Sequence, residues 1–82
     1  MQAVKIEERI RVGVAFDCGN IKPMWFRWKD RYYKIKEIAH TWSSNNGEGK
    51  VRHFAVSDGI NLFELCFNSR TMEWILGKVS SE

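Results

Sequence analysis

The residues whose types and spacing could carry chemistry are concentrated in one stretch, Lys22 to Lys36 (KPMWFRWKDRYYKIK). Those fifteen residues hold five aromatic rings (Trp25, Phe26, Trp28, Tyr32, Tyr33), six basic side chains and a single acid, Asp30. The rest of the chain carries seven basic and nine acidic groups, so the whole +3 surplus arises in this segment. Cations attract phosphate and exposed rings stack on bases, each stack contributing on the order of 1–3 kcal/mol. The expected partner-binding residues are Trp25, Arg27, Lys29, Arg31, Tyr32, Lys34 and Lys36. Two kinds of partner suit them. One is nucleic acid, single-stranded or duplex, DNA or RNA; the other is a protein whose acidic or proline-containing segment lies in an aromatic groove. The plain alternative is a sheet face kept soluble by its cations.

Other chemistry finds little support. His40, His53, Cys18 and Cys66 are the only soft metal ligands. No C-x-x-C or H-x-x-x-H spacing is present, and His40 falls in the apolar phase of its strand. A buried, hydrogen-bonded histidine is therefore expected there, and no metal. Nothing basic sits beside Cys66, and Lys22 lies four residues from Cys18, so neither thiol is expected to be an activated nucleophile. Hydrolysis by paired carboxylates needs two acids converging in a cleft. The ten acids here are scattered, mostly at turns and outward positions. Glu64, between Phe63 and Leu65, is expected to face outward and pair with a cross-strand cation. Gly47-x-Gly49 is too short for a phosphate loop and precedes a strand. A non-catalytic binding module with no cofactor is the expectation.

The elements that must position the basic and aromatic stretch read as short strands. Ile10, Val12, Val14 and Phe16 alternate with Arg9, Arg11, Gly13 and Ala15, the pattern of a half-buried strand. Asp17-Cys18-Gly19-Asn20 supplies a turn. Met24, Phe26 and Trp28 then face inward. A tight turn centred on Asp30-Arg31 pairs Trp28 with Tyr33 and Phe26 with Ile35 inside. Outside, it pairs Lys29 with Tyr32, Arg27 with Lys34 and Trp25 with Lys36. Asp-Arg is not a favoured two-residue turn, so a longer loop with the same pairing is compatible.

The apolar phase slips between Tyr33 and Ile35 on one side and Ile38, His40 and Trp42 on the other. That slip predicts a bulge near Lys36-Glu37. Trp28, Trp42 and Trp74 are then core residues, and only Trp25 points outward. Ser43 to Gly49 reads as a mobile loop tip. Arg52, Phe54 and Val56 share one side of the next strand, and Asp58-Gly59 is a hairpin signal. Phe63, Leu65 and Phe67 follow inward. Asn68 to Thr71 makes a turn, Met72, Trp74 and Leu76 face the core, and Gly77 allows a second irregularity. No window carries a sustained helical pattern.

This predicts an all-β domain, a small antiparallel meander of five or six strands rolled into an SH3-like barrel, with an OB-like barrel as the alternative. Residues 9–80 form the single domain and residues 1–8 a polar lead-in, in which Val4 and Ile6 can start a strand. A chain of 82 residues buries roughly 60–65% of its unfolded surface, enough for one small core. No apolar run approaches a membrane span, and acids occupy the place of a signal sequence, so neither membrane nor export is expected. Two cysteines are too few for a disulfide scaffold, which makes a cytoplasmic protein with reduced thiols the expectation.

The spacing Pro23-x-x-Phe26-x-Trp28-x-x-Arg31-x-Tyr33-x-Ile35-x-x-Ile38-x-x-x-Trp42 resembles a family of short bacterial β domains of unknown function. Phe63-Glu64-Leu65 and Trp74-x-Leu76-x-x-Val79 are similar to that family's second half, so the resemblance covers roughly residues 9 to 80. It implies a stand-alone or appended small β domain. Some relatives accompany translesion-repair polymerases, which implies a role in DNA transactions. It implies no catalytic residues. Lys29-Asp30 departs from the Arg-Gly of relatives, which bears on the turn and not on the fold.

Overall fold

Alternating apolar residues, punctuated by glycine and aspartate turns, fold the chain into seven antiparallel strands in one sheet. The computed structural model describes residues 3–47 and 49–81, and among these there is no helix. The strands are β1 (Ala3–Asp17), β2 (Asn20–Trp28), β3 (Arg31–Lys34), β4 (Glu37–Asn46), β5 (Gly49–Ser57), β6 (Asn61–Asn68) and β7 (Glu73–Ser81). Their order is β3-β2-β1-β7-β6-β5-β4. The last strand therefore returns beside the first, and the two end strands, β3 and β4, are consecutive in the chain.

Ile35 and Lys36 form the joint. The Ile35 N–H donates to the Met24 carbonyl (3.0 Å) and the Lys36 N–H to the Ser57 carbonyl (2.8 Å). Successive N–H groups thus reach β2 on one side and β5 on the other, so the kink rolls the sheet into a barrel-like form with its ladder interrupted there. The strand expected as one is two, which raises the count from six to seven.

The core is built where the inward phases meet. Phe26, Phe54, Val56, Phe63, Leu65 and Leu76 are buried, with Ile10, Val12, Trp28, Tyr33, Ile38 and Trp74 packed against them. Phe26 stacks on Tyr33 (4.9 Å, 10°) and meets Phe63 edge-on (4.9 Å, 70°). Trp74 packs on Phe54 and Phe67 at 5.5 and 4.9 Å. Aromatic pairs at such separations add stability beyond their buried area.

Bulges explain where the inward assignments depart from expectation. Opposite Gly13 and Val14, β2 carries one extra residue, Met24. Pro23 on one side of it and Phe26 on the other are buried, while Met24 and Trp25 both turn outward. Pro23 has no N–H to give an interior strand, and a bulge is where that is tolerated. A second bulge lies at Ala39, between Ile38 and His40, two residues beyond Glu37. Ile38 stays inward, but His40 and Trp42 are thrown to the outer face, where both are exposed. Trp42 is not a core residue, and His40 is not a buried histidine.

Three further expectations need correction. Phe16 is 78% exposed, because β1 pairs with β7 only up to Ile10 and its far end projects as a hairpin with β2. Met72 (φ 61°) sits exposed in the β6–β7 turn. Ser43 to Asn46 extend β4, and Asn46 pairs with Gly49, so the polar segment is mostly strand; Glu48 lies outside the described residues. Gly77 is the unpaired residue of the irregularity expected near it, opposite Glu64 and Leu65.

Candidate functional site

The basic and aromatic stretch folds as the β2–β3 hairpin, in a register two residues from the one anticipated. Trp28 pairs with Arg31, Arg27 with Tyr32, Phe26 with Tyr33 and Trp25 with Lys34. Lys29 (φ 51°) and Asp30 (φ 60°) are the two turn residues. Positive φ at both central positions matches the right-handed twist of the strands, and aspartate tolerates it better than arginine would. A shift of two leaves every side chain on its expected face but changes its partner. Arg27 is not opposite Lys34.

Arg27 instead lies between Tyr32 and, on β1, Arg11, its direct cross-strand partner. Its guanidinium lies over the Tyr32 ring (5.7 Å to the centroid) and contacts Asp30 at 3.0 Å. Trp25 and Tyr32 stand 5.4 Å apart at 59°, with 40% and 69% of their surfaces open. The Trp25 indole lies on the backbone of Gly13 across the strand pair, where any Cβ would collide with it. Lys34 is opposite Trp25, on its other side. Trp25 therefore divides two shallow recesses: one lined by Met24, Tyr32, Tyr33 and Lys34, the other by Arg9, Arg11, Val12 and Trp74.

Five of the seven expected residues come together around these recesses. Trp25, Arg27, Tyr32 and Lys34 form the face, and Lys29 joins Arg27 and Arg11 at its turn end. Arg31 leans over Tyr33 (5.8 Å), on the inner phase. Lys36 lies against the turn at Gly59 and is separate from the face. Arg11 was not among the expected residues, although its alternation places it outward; it joins the face because β1 lies beside β2 in a register that sets it opposite Arg27. Arg9, at the rim, is paired with Glu73 at 3.0 Å. Among the described residues Arg11 and Lys34 make no ion pair.

A second polar group occupies the outer face of β4, β5 and β6. His40, Trp42 and His53 stack in a row, at 5.4 Å (29°) and 5.0 Å (4°). His53 Nε2 lies 2.8 Å from Ser44 Oγ, and Nδ1 faces Cys66 Sγ at 3.4 Å and Glu64 Oε1 at 3.6 Å. Glu64 also meets Lys78 across the strand at 3.9 Å, the outward pairing expected of it. Burial, then Glu64 and Glu7, push the Cys66 thiol up to about 11 against the opposing effect of Lys78. It stays protonated and is no activated nucleophile at neutral pH. Cys18 is exposed in the β1–β2 turn.

The fold and its outer face define a small barrel-like β domain with clustered cations and open rings. No family model, curated protein or solved structure matches the chain.

Proposed function

We propose that the protein is a non-catalytic binding module that holds single-stranded nucleic acid on the β1–β2–β3 face. One observation carries the reading: Arg11 and Arg27 are held directly opposite each other beside two open rings, Trp25 and Tyr32. Like charges opposite each other in a sheet cost a few tenths to about 1 kcal/mol, and among the described residues only Asp30, at the exposed turn, offsets it. A phosphate between the two guanidinium groups removes that cost. The rings then offer flat apolar surfaces to unpaired bases, which a duplex would keep stacked internally.

The test is tryptophan fluorescence on titrating the protein with a short mixed-sequence DNA strand at several salt concentrations. Arg11, Arg27 and Lys34 together neutralise about three phosphates, so the logarithm of affinity should fall with that of salt with a slope of about −2. Arg11→Ala should lower that slope by roughly 0.7. An affinity indifferent to salt would instead point to an apolar peptide groove on the same face.

A further inference from the structure

The geometry points to a second site, unrelated to the basic face: a divalent-cation site of the zinc class formed by His53 Nδ1, Cys66 Sγ and a Glu64 carboxylate oxygen. The three ligand atoms come from the adjacent strands β5 and β6, lie within 4.8 Å of one another, and belong to half-buried side chains. Zinc binds imidazole nitrogen, thiolate and carboxylate at about 2.0–2.3 Å in tetrahedral array, which sets any two ligands roughly 3.3–3.7 Å apart. Two of the three separations, 3.4 Å from sulfur to nitrogen and 3.6 Å from nitrogen to oxygen, fall inside that window. The third, sulfur to carboxylate, lies within 4.8 Å, a gap that rotation of the Glu64 side chain closes.

The surroundings hold the ligands in that arrangement. Ser44 Oγ, 2.8 Å from Nε2, can accept its proton and leave the Nδ1 lone pair directed at Cys66 and Glu64. Trp42, parallel to the His53 ring at 5.0 Å, fixes the ring plane. In that tautomer a nitrogen lone pair and a carboxylate face each other across 3.6 Å, an arrangement a cation relieves. His53 and Cys66 are direct cross-strand partners, and Glu64 is two residues from Cys66 on the same face. Lys78, 3.9 Å from Glu64, opposes a cation, but its side chain is more than half exposed and free to turn to solvent.

Three protein ligands leave the fourth position to water. On binding, the Cys66 S–H bond gives way to a sulfur–metal bond and one proton passes to the buffer; no oxidation state changes. The linear spacing hides the site because its ligands are split between two strands and depend on their register.

Cobalt(II) added to the full chain tests it, since thiolate ligation produces a ligand-to-metal charge-transfer band. The expected result is a band that saturates at equimolar metal, is displaced by zinc, persists in Cys18→Ser and is lost in Cys66→Ser. Glu64→Gln should weaken binding by ~10-fold or more, as loss of a ligating or supporting group does. The imidazole nitrogen signals of unmodified protein supply a readout that needs no variant: zinc should shift Nδ1 of His53 and leave His40 unmoved. No band, a band that survives Cys66→Ser, or an unmoved His53 would overturn the assignment.

Discussion

At Gly13 the strand passes directly beneath the Trp25 indole, so the absence of a side chain there is what seats the ring. A glycine inside a strand is otherwise a weakness, covered here by an aromatic neighbour across the pair. Gly13→Ala should therefore displace the indole and not break the fold. Overpacking costs ~1 kcal/mol or more, but the ring is partly open and can swing, and alanine reduces the freedom of the unfolded chain. The expected outcome is stability within about 1 kcal/mol of the parent by urea denaturation, with a shifted Trp25 indole signal and weaker nucleic-acid binding. Equal affinity in parent and variant would show that the position of Trp25 does not matter to the ligand.

Among the elements, the β2–β3 turn departs most from good local chemistry. Lys29 and Asp30 both adopt positive φ, where Asn-Gly is favoured, and the Arg27–Asp30 contact that Asp30 supplies is exposed. The double change Lys29→Asn, Asp30→Gly should stabilise the domain by about 1 kcal/mol, read as a higher urea midpoint at unchanged slope. Anion affinity should change little, because the freeing of Arg27 from Asp30 is offset by the loss of the Lys29 cation at the same end of the face.

The same hairpin shows what could be read beforehand. The side on which Trp25, Arg27, Tyr32 and Lys34 lie was legible, because strand periodicity is two and a register error of two residues preserves the face. The partners were not, since they depend on which pair of residues takes the turn. The bulge at Ala39 was legible as a phase slip but not in its position. Placing it at Lys36-Glu37 put Trp42 and His40 inside, whereas the kink at Ile35-Lys36 is spent on joining β2 to β5 and the bulge follows it. The His53, Glu64 and Cys66 group depended on another loop. A two-residue Asp58-Gly59 turn would have set His53 opposite Glu64. Asp58 Oδ1 instead accepts from the Ile60 and Asn61 N–H groups, both at 2.8 Å, and the longer loop brings Cys66 opposite His53.

At the scale of the molecule, a single small core holds all seven strands, and the extents of 30 × 27 × 24 Å leave little interior beyond it. Phe26 lies fully buried between Tyr33 and Phe63, so it ties the β2–β3 hairpin to β6. Phe26→Ala should cost about 3–5 kcal/mol, a large part of the stability available to a domain of this size, and should lower the melting temperature steeply or leave the chain unfolded at 37 °C. Charge is distributed as unevenly as packing. The +3 surplus arises entirely from the stretch that forms β2, the β2–β3 turn, β3 and the kink, and β1 adds Arg11 beside it.

The most direct test of the binding face is an NMR titration of backbone amide and Trp indole signals with a short mixed-sequence DNA strand, at low and then moderate salt. Shifts should be confined to Arg11, Gly13, Trp25, Arg27, Lys29, Tyr32 and Lys34 and fade as salt rises, with Trp42 and Lys36 unmoved. Unchanged spectra, or shifts centred away from Trp25, would contradict it.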